Sequence, residues 1–471
     1  MLEMYGSFIG TISNALYSYI LIILLVGGGI FFTLRTGFVQ RLLGEAFRII
    51  MEPAEDKDKE SISAFQSMMI STASRVGTGN IAGVSTALCT GGPGAVFWMW
   101  VIAFFGMATA FVEGTLAQVY KRRGENGTCF GGPSYYIEST LKSRKLGVLY
   151  AIFMVITYMV GFNLVASFNV ADSFKAFGFY SADVTPLVVG IILAAVFALC
   201  IMGGGKKIAD VASFLVPIMG GLYIAAALLI TVLNIDLLPG VIRMIFADAF
   251  NFKAIFGGFA GSCVMLGIKR GLFSNEAGVG ASASASGSAS VSHPVKQGLV
   301  QVLSVFLDTI VICSCTALLC LCSGVEPTAE AAGMSYVQAA LQNVFGQAGV
   351  IFITIALILF AFTTLIGNYF FAETGIVYLL GKVPTKGVML GIRIFAIAVV
   401  VVGAVASLGV VWDTADVLMG LMACINVPVI FLLSKTAADC LKDYTKQRKA
   451  GEKPVFKASS IGIKEETDFW N

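Results

Sequence analysis

The sequence predicts an all-α integral membrane protein of eleven transmembrane helices. Three observations carry this reading. The chain is 57% hydrophobic and only 13% charged, its mean hydropathy is +0.86, and its apolar stretches recur between short polar loops. A soluble domain carries about 25% charged residues, so half that value leaves too little polar surface to face water. Helices of about 20 apolar residues cross a hydrocarbon layer about 30 Å thick, and 471 residues hold roughly ten to twelve of them. The alternation of a β-barrel is absent. The 52 glycines against 11 prolines suit close-packed membrane helices. Ten cysteines, mostly in apolar runs and without metal-ligand spacing, read as reduced packing residues. Met1–Asn14 is nearly uncharged and lacks the basic stretch of a cleavable signal peptide.

In chain order, the spans fall near residues 14–34, 62–90, 94–120, 146–172, 184–202, 208–233, 254–275, 297–322, 348–379, 387–408 and 412–434. Loop charge orients them. With the loop after the first span on the cytoplasmic side, that side collects twenty-seven Lys and Arg residues, including Lys269, Arg270 and the Lys-rich tail. The opposite side holds Lys175, Arg243 and Lys253, and Arg75 falls within a span. Such a bias in short loops is the positive-inside pattern. It predicts a bacterial cytoplasmic membrane protein with its N-terminus outside and C-terminus inside. The expected organisation is an extra first helix and cytoplasmic loop (1–61), a first five-helix group (62–233), a second (254–434) and a tail (435–471), disordered after Gly451.

The second span reads STASRVGTGNIAG, Ser71–Gly83. Gly77, Gly79 and Gly83 beside Asn80 make a poor continuous helix. A break at Gly77–Asn80 frees backbone groups at mid-membrane depth, where protein, water or a ligand has to satisfy them. The positive end of the following half-helix suits a carboxylate, and the freed carbonyls suit a cation. Close helix packing explains the same glycines without a site. The seventh span carries Gly257, Gly258, Gly261 and Gly267. It opens the second five-helix group as the second span opens the first. Interrupted helices at matching positions point to an inverted-repeat transporter with a midplane site.

In the ninth span, Thr363 and Thr364 are adjacent hydroxyls in an apolar run. Such oxygens suit sodium, a hard cation, and back-bonding to a carbonyl one turn earlier is the structural alternative. Arg75, Glu113 and Asp308 also lie within spans, where charges default to functional candidates. Arg75 reads as an inner-gate cation paired with Glu113 or Asp210, and Asp308 as a group that tunes a cation site or carries a proton. A structural ion pair is the alternative for each. His293 reads as a helix-initiating residue. No P-loop, catalytic triad or metal-ligand cluster stands out, so neither enzyme activity, an enzymatic cofactor nor a nucleic-acid partner is expected.

Several strings resemble the alanine or glycine:cation symporter family. They include FFTLRTGFVQ (Phe31–Gln40), GTGNIAGVSTALCTGGPGAVFWMWVIAFFGMATAFVE (Gly77–Glu113), GGPSYYIE (Gly131–Glu138), RGLFSNEAGVG (Arg270–Gly280), HPVKQGL and DTIVICSCTAL (within His293–Leu318). The resemblance implies a LeuT-like fold, a 5+5 inverted repeat preceded by one extra helix. It implies that Thr78, Gly79 and Asn80 hold the substrate carboxylate while Gly257, Gly258 and Gly261 supply the facing backbone. GTGN is also similar to a motif of neurotransmitter:sodium symporters, which implies a sodium site from the carbonyls of Ala73, Val76 and Phe360 and the hydroxyls of Thr363 and Thr364. Two segments depart from the family pattern. ASASASGSAS follows SNEAGVG, and Asn368 stands where a tryptophan is usual, implying a larger, more polar substrate cavity. The expected activity is sodium-coupled uptake of a small neutral amino acid (alanine, glycine, glutamine or another) by alternating access, in a monomer embedded in the lipid bilayer. The rivals are a proton-coupled symporter and a non-transporting amino-acid sensor.

Overall fold

The computed structural model describes residues 2–52, 62–124, 128–251, 258, 262–463, 465 and 467–470. Among them, eight helices are long and apolar enough to cross a membrane: Gly6–Arg35, Gly94–Val119, Arg144–Ala176, Gly204–Leu233, Pro294–Leu321, Gln347–Leu380, Lys386–Ala404 and Gly409–Lys449. Thr185–Ile201 is a shorter apolar helix. Each overlaps a predicted span, although the last runs on to Lys449 instead of ending near 434. The only ladder among the described residues pairs Arg122–Arg123 with Cys129–Phe130.

The helices divide by what they touch. In the most apolar window of Gly94–Val119, Pro294–Leu321 and Gln347–Leu380, 67% of residues are buried, against 28% in Gly6–Arg35 and 33% in Lys386–Ala404. The first three therefore form the interior, while Ile23 and Phe395 point out to the hydrocarbon. Small residues let the central helices approach closely. A Cβ on Gly298 would lie 2.8 Å from the Phe111 carbonyl oxygen, and one on Gly114 would lie 3.1 Å from that of Gln297.

The second predicted span is interrupted. Ser63 and Gln66 form a capping box that starts Ala64–Arg75. That helix stops at Val76 (φ −76°, ψ 83°). The chain resumes as the wide turn Gly79–Gly83 and continues as Val84–Gly91. The break thus covers Val76–Thr78, beginning one residue and ending two residues earlier than expected, and Asn80 belongs to the resumed helix.

In the seventh predicted span, Ser262 caps the helix Cys263–Asn275. Gly257 and Gly261 lie outside the described residues, and Gly258 is exposed. After Asn275 the chain turns through Glu276 (φ 54°), Gly278 (φ 96°) and Gly280 (φ 90°). Glycine adopts such angles freely, whereas Glu276 holds a strained conformation.

Two expectations change. Lys269 and Arg270 are not on a cytoplasmic loop. Both reach Asp416 (2.9 and 3.1 Å), and Lys269 also donates to Ser13 (3.0 Å). Both lie within the helix Cys263–Asn275 and are buried. Nor is the segment after Gly451 disordered. Phe456 N–H donates to the Ser292 carbonyl (3.0 Å) and Trp470 Nε1 to the Gln118 carbonyl (2.8 Å). Both aromatic rings are buried, and their burial is what a count of lysines misses. His293 is the N-cap of the Pro294 helix, accepting from Val295 N–H (3.2 Å) and facing Asp443 (3.2 Å). All ten cysteines are free.

Candidate functional site in the broken helix

The break is held by side chains from distant parts of the sequence. Asn80 reaches back across it, its Oδ1 accepting from Gly77 N–H at 2.9 Å. Its Nδ2 lies 2.7 Å from Asp308 Oδ1 and 3.0 Å from Ser274 Oγ. Asp308 is fully buried. Its Oδ2 accepts from Ser274 (2.6 Å) and Thr309 (2.7 Å). The Asn80 carbonyl accepts from Thr316, which also lies 2.8 Å from Tyr223. Asn80 therefore fixes the shape of the break, and its polar atoms already have protein partners. Three donors on one buried carboxylate offset the cost of removing it from water.

The Gln347–Leu380 helix lies along the other side. A Cβ on Gly77 would collide with the Thr364 hydroxyl, so Thr364 sits directly against the break. Its Oγ1 is buried and has no partner. Thr363 behaves differently, donating to the Phe360 carbonyl at 2.9 Å. The alternative of back-bonding thus applies to Thr363 and not to Thr364. One turn on, Asn368 Oδ1 lies 2.8 Å from Ser74 Oγ, and its Nδ2 donates to Asn163 at 3.0 Å. The structure brings Asn368 to the broken helix and surrounds it with polar groups.

Above Gly79 lies an aromatic stack. A Cβ there would come within 2.8 Å of the Phe273 ring, and one on Gly83 within 3.3 Å of Trp412. Phe273 packs between Phe162 (4.8 Å) and Trp412 (4.7 Å). Arg270 covers Trp412 at 4.4 Å while paired with the buried Asp416. Thr78 and Gly79 are thus enclosed beneath stacked rings and an ion cluster.

Arg75 does not pair with Glu113 or Asp210. Its guanidinium donates to Gln301 Oε1 (2.8 Å) and Ser282 Oγ (2.6 Å). Asp210 instead accepts from Gln66 (2.9 Å), and Glu113 from Asn426 (2.6 Å). Tyr136 also donates to Asn426. Arg75 has no ion pair within 4 Å among the described residues, and neutral amides and hydroxyls take its place. Sequence reasoning passed over Ser274 and Glu276. Glu276 is fully buried, with Oε2 unpartnered and Oε1 3.4 Å from Ser74 Oγ. A carboxylate in an otherwise weakly polar SNEAG segment was the available signal.

Across residues 2–458 the chain matches a family model described as the sodium:alanine symporter family. The chain belongs to the sodium:alanine symporter family. It is 45% identical over 450 residues to the probable sodium/glutamine symporter GlnT of Bacillus subtilis (strain 168), covering 95% of this chain and 92% of that one. It is 44% identical to the amino-acid carrier protein AlsT of the same organism, covering 100% and 98%. To the sodium/alanine symporter AgcS of Methanococcus maripaludis it is 40% identical, covering 94% and 98%. This member of the sodium:alanine symporter family is accordingly an amino-acid:cation symporter and not an enzyme. Its fold is similar to that in the crystal structure of MhsT in complex with L-phenylalanine. The TM-score is 0.59 at 12% identity, covering 82% of this chain and 99% of that one.

Proposed function

We propose that this symporter carries a small neutral amino acid into the cell with sodium, by alternating access about the broken helix. The observation behind the reading is the buried break at Val76–Thr78 with the unpartnered Thr364 hydroxyl against it. A hydroxyl oxygen with no protein donor or acceptor is a suitable ligand for a hard cation. The carbonyls of Ala73, Val76 and Phe360 complete the set, with a lone pair of Thr363, whose proton stays on the Phe360 carbonyl. Sodium there stabilises the unwound segment, so that Thr78 and Gly79, at the positive end of the resumed helix, accept the substrate carboxylate. Asn80 and Asp308 keep the segment in shape. Gly257, Gly258 and Gly261 supply backbone from the opposite side, and Arg75 and Glu113 hold the inner closure through neutral partners.

In this reading eleven helices span a bacterial cytoplasmic membrane, N-terminus outside and C-terminus inside. Residues 62–233 and 254–434 are the two five-helix repeats behind the extra helix of 1–61, and 435–471 lies on the inner face of a monomer. The polar wall of Ser74, Asn163 and Asn368 favours glutamine as a substrate beside alanine and glycine. A proton-coupled variant is the second reading, favoured by the buried carboxylates Asp308 and Glu276. Uptake of labelled alanine, glycine and glutamine into proteoliposomes tests both. Accumulation driven by an inward sodium gradient is expected. Binding without accumulation would sink the transport reading, and accumulation driven by a pH gradient alone would select proton coupling.

A further inference from the structure

We propose that a cavity on the face carrying the C-terminal tail is a binding site for a phosphate-bearing anion. It lies between the paired strands Arg122–Arg123 and Cys129–Phe130, the short helix Pro133–Leu141 and the end of Gln347–Leu380, and it measures about 700 Å³. None of the residues at the broken helix lines it.

Charge is the first argument. Arg122, Arg123, Lys142, Arg144 and Lys382 line the cavity, against one carboxylate, Glu138, among the described residues. Glu138 is already engaged, 3.2 Å from Arg144 Nη1 and accepting from Tyr378 at 2.6 Å. Lys142 and Lys382 are exposed and have no ion pair among the described residues. Lys142 holds a left-handed backbone (φ 51°) at the end of Pro133–Leu141, a conformation that costs a side-chain-bearing residue free energy. Concentrating cations this way is unfavourable unless a counter-charge occupies the space.

The second argument is that the protein itself places an anion on the rim. The Asp468 carboxylate accepts from Arg122 Nη1 and from the backbone N–H of Arg123, both at 2.9 Å. Arg122 Nη2 is oriented by Ser139 at 3.1 Å. A guanidinium and a backbone N–H converging on neighbouring oxygens is the geometry a phosphate also uses. Asp468 on the rim and Glu138 leave Lys142 and Lys382 unmatched at the cavity wall, and the volume far exceeds that of a simple carboxylate. A multivalent phosphate group fits both. Two sources can supply it, an anionic phospholipid headgroup of the inner leaflet or a soluble polyphosphate.

The test uses the full-length protein in neutral detergent, with thermal unfolding followed during titration by dioctanoyl phosphatidylglycerol, inorganic pyrophosphate or dioctanoyl phosphatidylcholine. A saturable rise in melting temperature with either anion, weakened by added salt, supports the site, and the anion that acts identifies the source. Lys142→Gln combined with Lys382→Gln is expected to weaken that binding about thirty-fold. Should the double variant melt lower without ligand, Lys382→Gln alone is read instead, with about five-fold weakening expected. The proposal is overturned if neither anion gives a saturable shift, if the choline lipid acts as strongly, or if the variants bind as the parent does.

Discussion

Exchanging Asn80 and Asp308 tests whether their contact sets the shape of the break. In Asp308→Asn the new amide can keep its oxygen on Ser274 and Thr309 only by turning its NH2 toward Asn80 Nδ2. The 2.7 Å bond is then lost and two donors face each other, at a cost of about 1–3 kcal/mol. Asn80→Asp is worse. One new oxygen keeps the Gly77 N–H, but the other meets Asp308 Oδ1 at bonding distance, so like charges replace a donor, at a cost of roughly 3–5 kcal/mol. In the double exchange the amide at 308 donates to the carboxylate at 80, and the hydroxyls and the Gly77 N–H keep their acceptors. The contacts of Asn80 Nδ2 with Ser274 Oγ (3.0 Å) and, more weakly, with the Asp308 carbonyl and Cys313 Sγ (both 3.3 Å) are missing. A coupling in favour of the double variant that exceeds the roughly 3–5 kcal/mol cost of Asn80→Asp is therefore expected. Thermal unfolding in detergent should rank parent, double exchange, Asp308→Asn and Asn80→Asp in descending order, and sodium-dependent uptake should follow that ranking. A double variant whose loss equals the sum of the singles would refute this account of the break.

Thr364→Val should raise the sodium concentration for half-maximal uptake about ten-fold or more while leaving the melting temperature unchanged or higher, since an unpartnered buried hydroxyl is removed. An equal effect from Thr363→Val would place the cation elsewhere. Gly79→Ala sets a methyl 2.8 Å from the Phe273 ring and should cost about 1–3 kcal/mol by overpacking. Uptake should fall and recover partly when Phe273→Leu is added, and a stable double variant with no recovery would argue against this contact. Burial brings the His293 pKa down to about 4 despite Asp443 nearby, against about 6.5 in an unfolded chain. Its neutral form thus contributes stability that is complete above about pH 6.5 and lost as pH falls toward about 4. Melting temperatures across that window should drop in the parent and drop less in His293→Gln.

The helical architecture was legible because hydropathy acts on twenty-residue windows and tolerates errors of several residues at the ends. The interruption in the second span was also legible, since three glycines around Asn80 carry their own conformational signature. What makes the break a defined object was not. Asp308, Ser274 and Thr364 reach it from nearly 200 to nearly 300 residues away, and nothing local in DTIVIC or FAFTT says which neighbour each finds. Arg75 illustrates the limit. A buried cation suggests a carboxylate partner, yet an amide and a serine hydroxyl serve it. Lys269 and Arg270 read as loop residues, yet both are buried within a helix that begins only at Cys263. The tail misled for a related reason, since composition averages over lysines while two aromatic rings decide the docking.

That docking bears on the order of assembly. Trp470 stands 352 residues beyond Gln118, yet it bonds there to the end of the Gly94–Val119 helix and lies against Phe456, whose own amide bonds to Ser292. A chain made from its N-terminus completes its helices well before this clasp can form. Incomplete products lack it altogether. Replacing Trp470 by alanine should unfasten the clasp even when the helices insert normally.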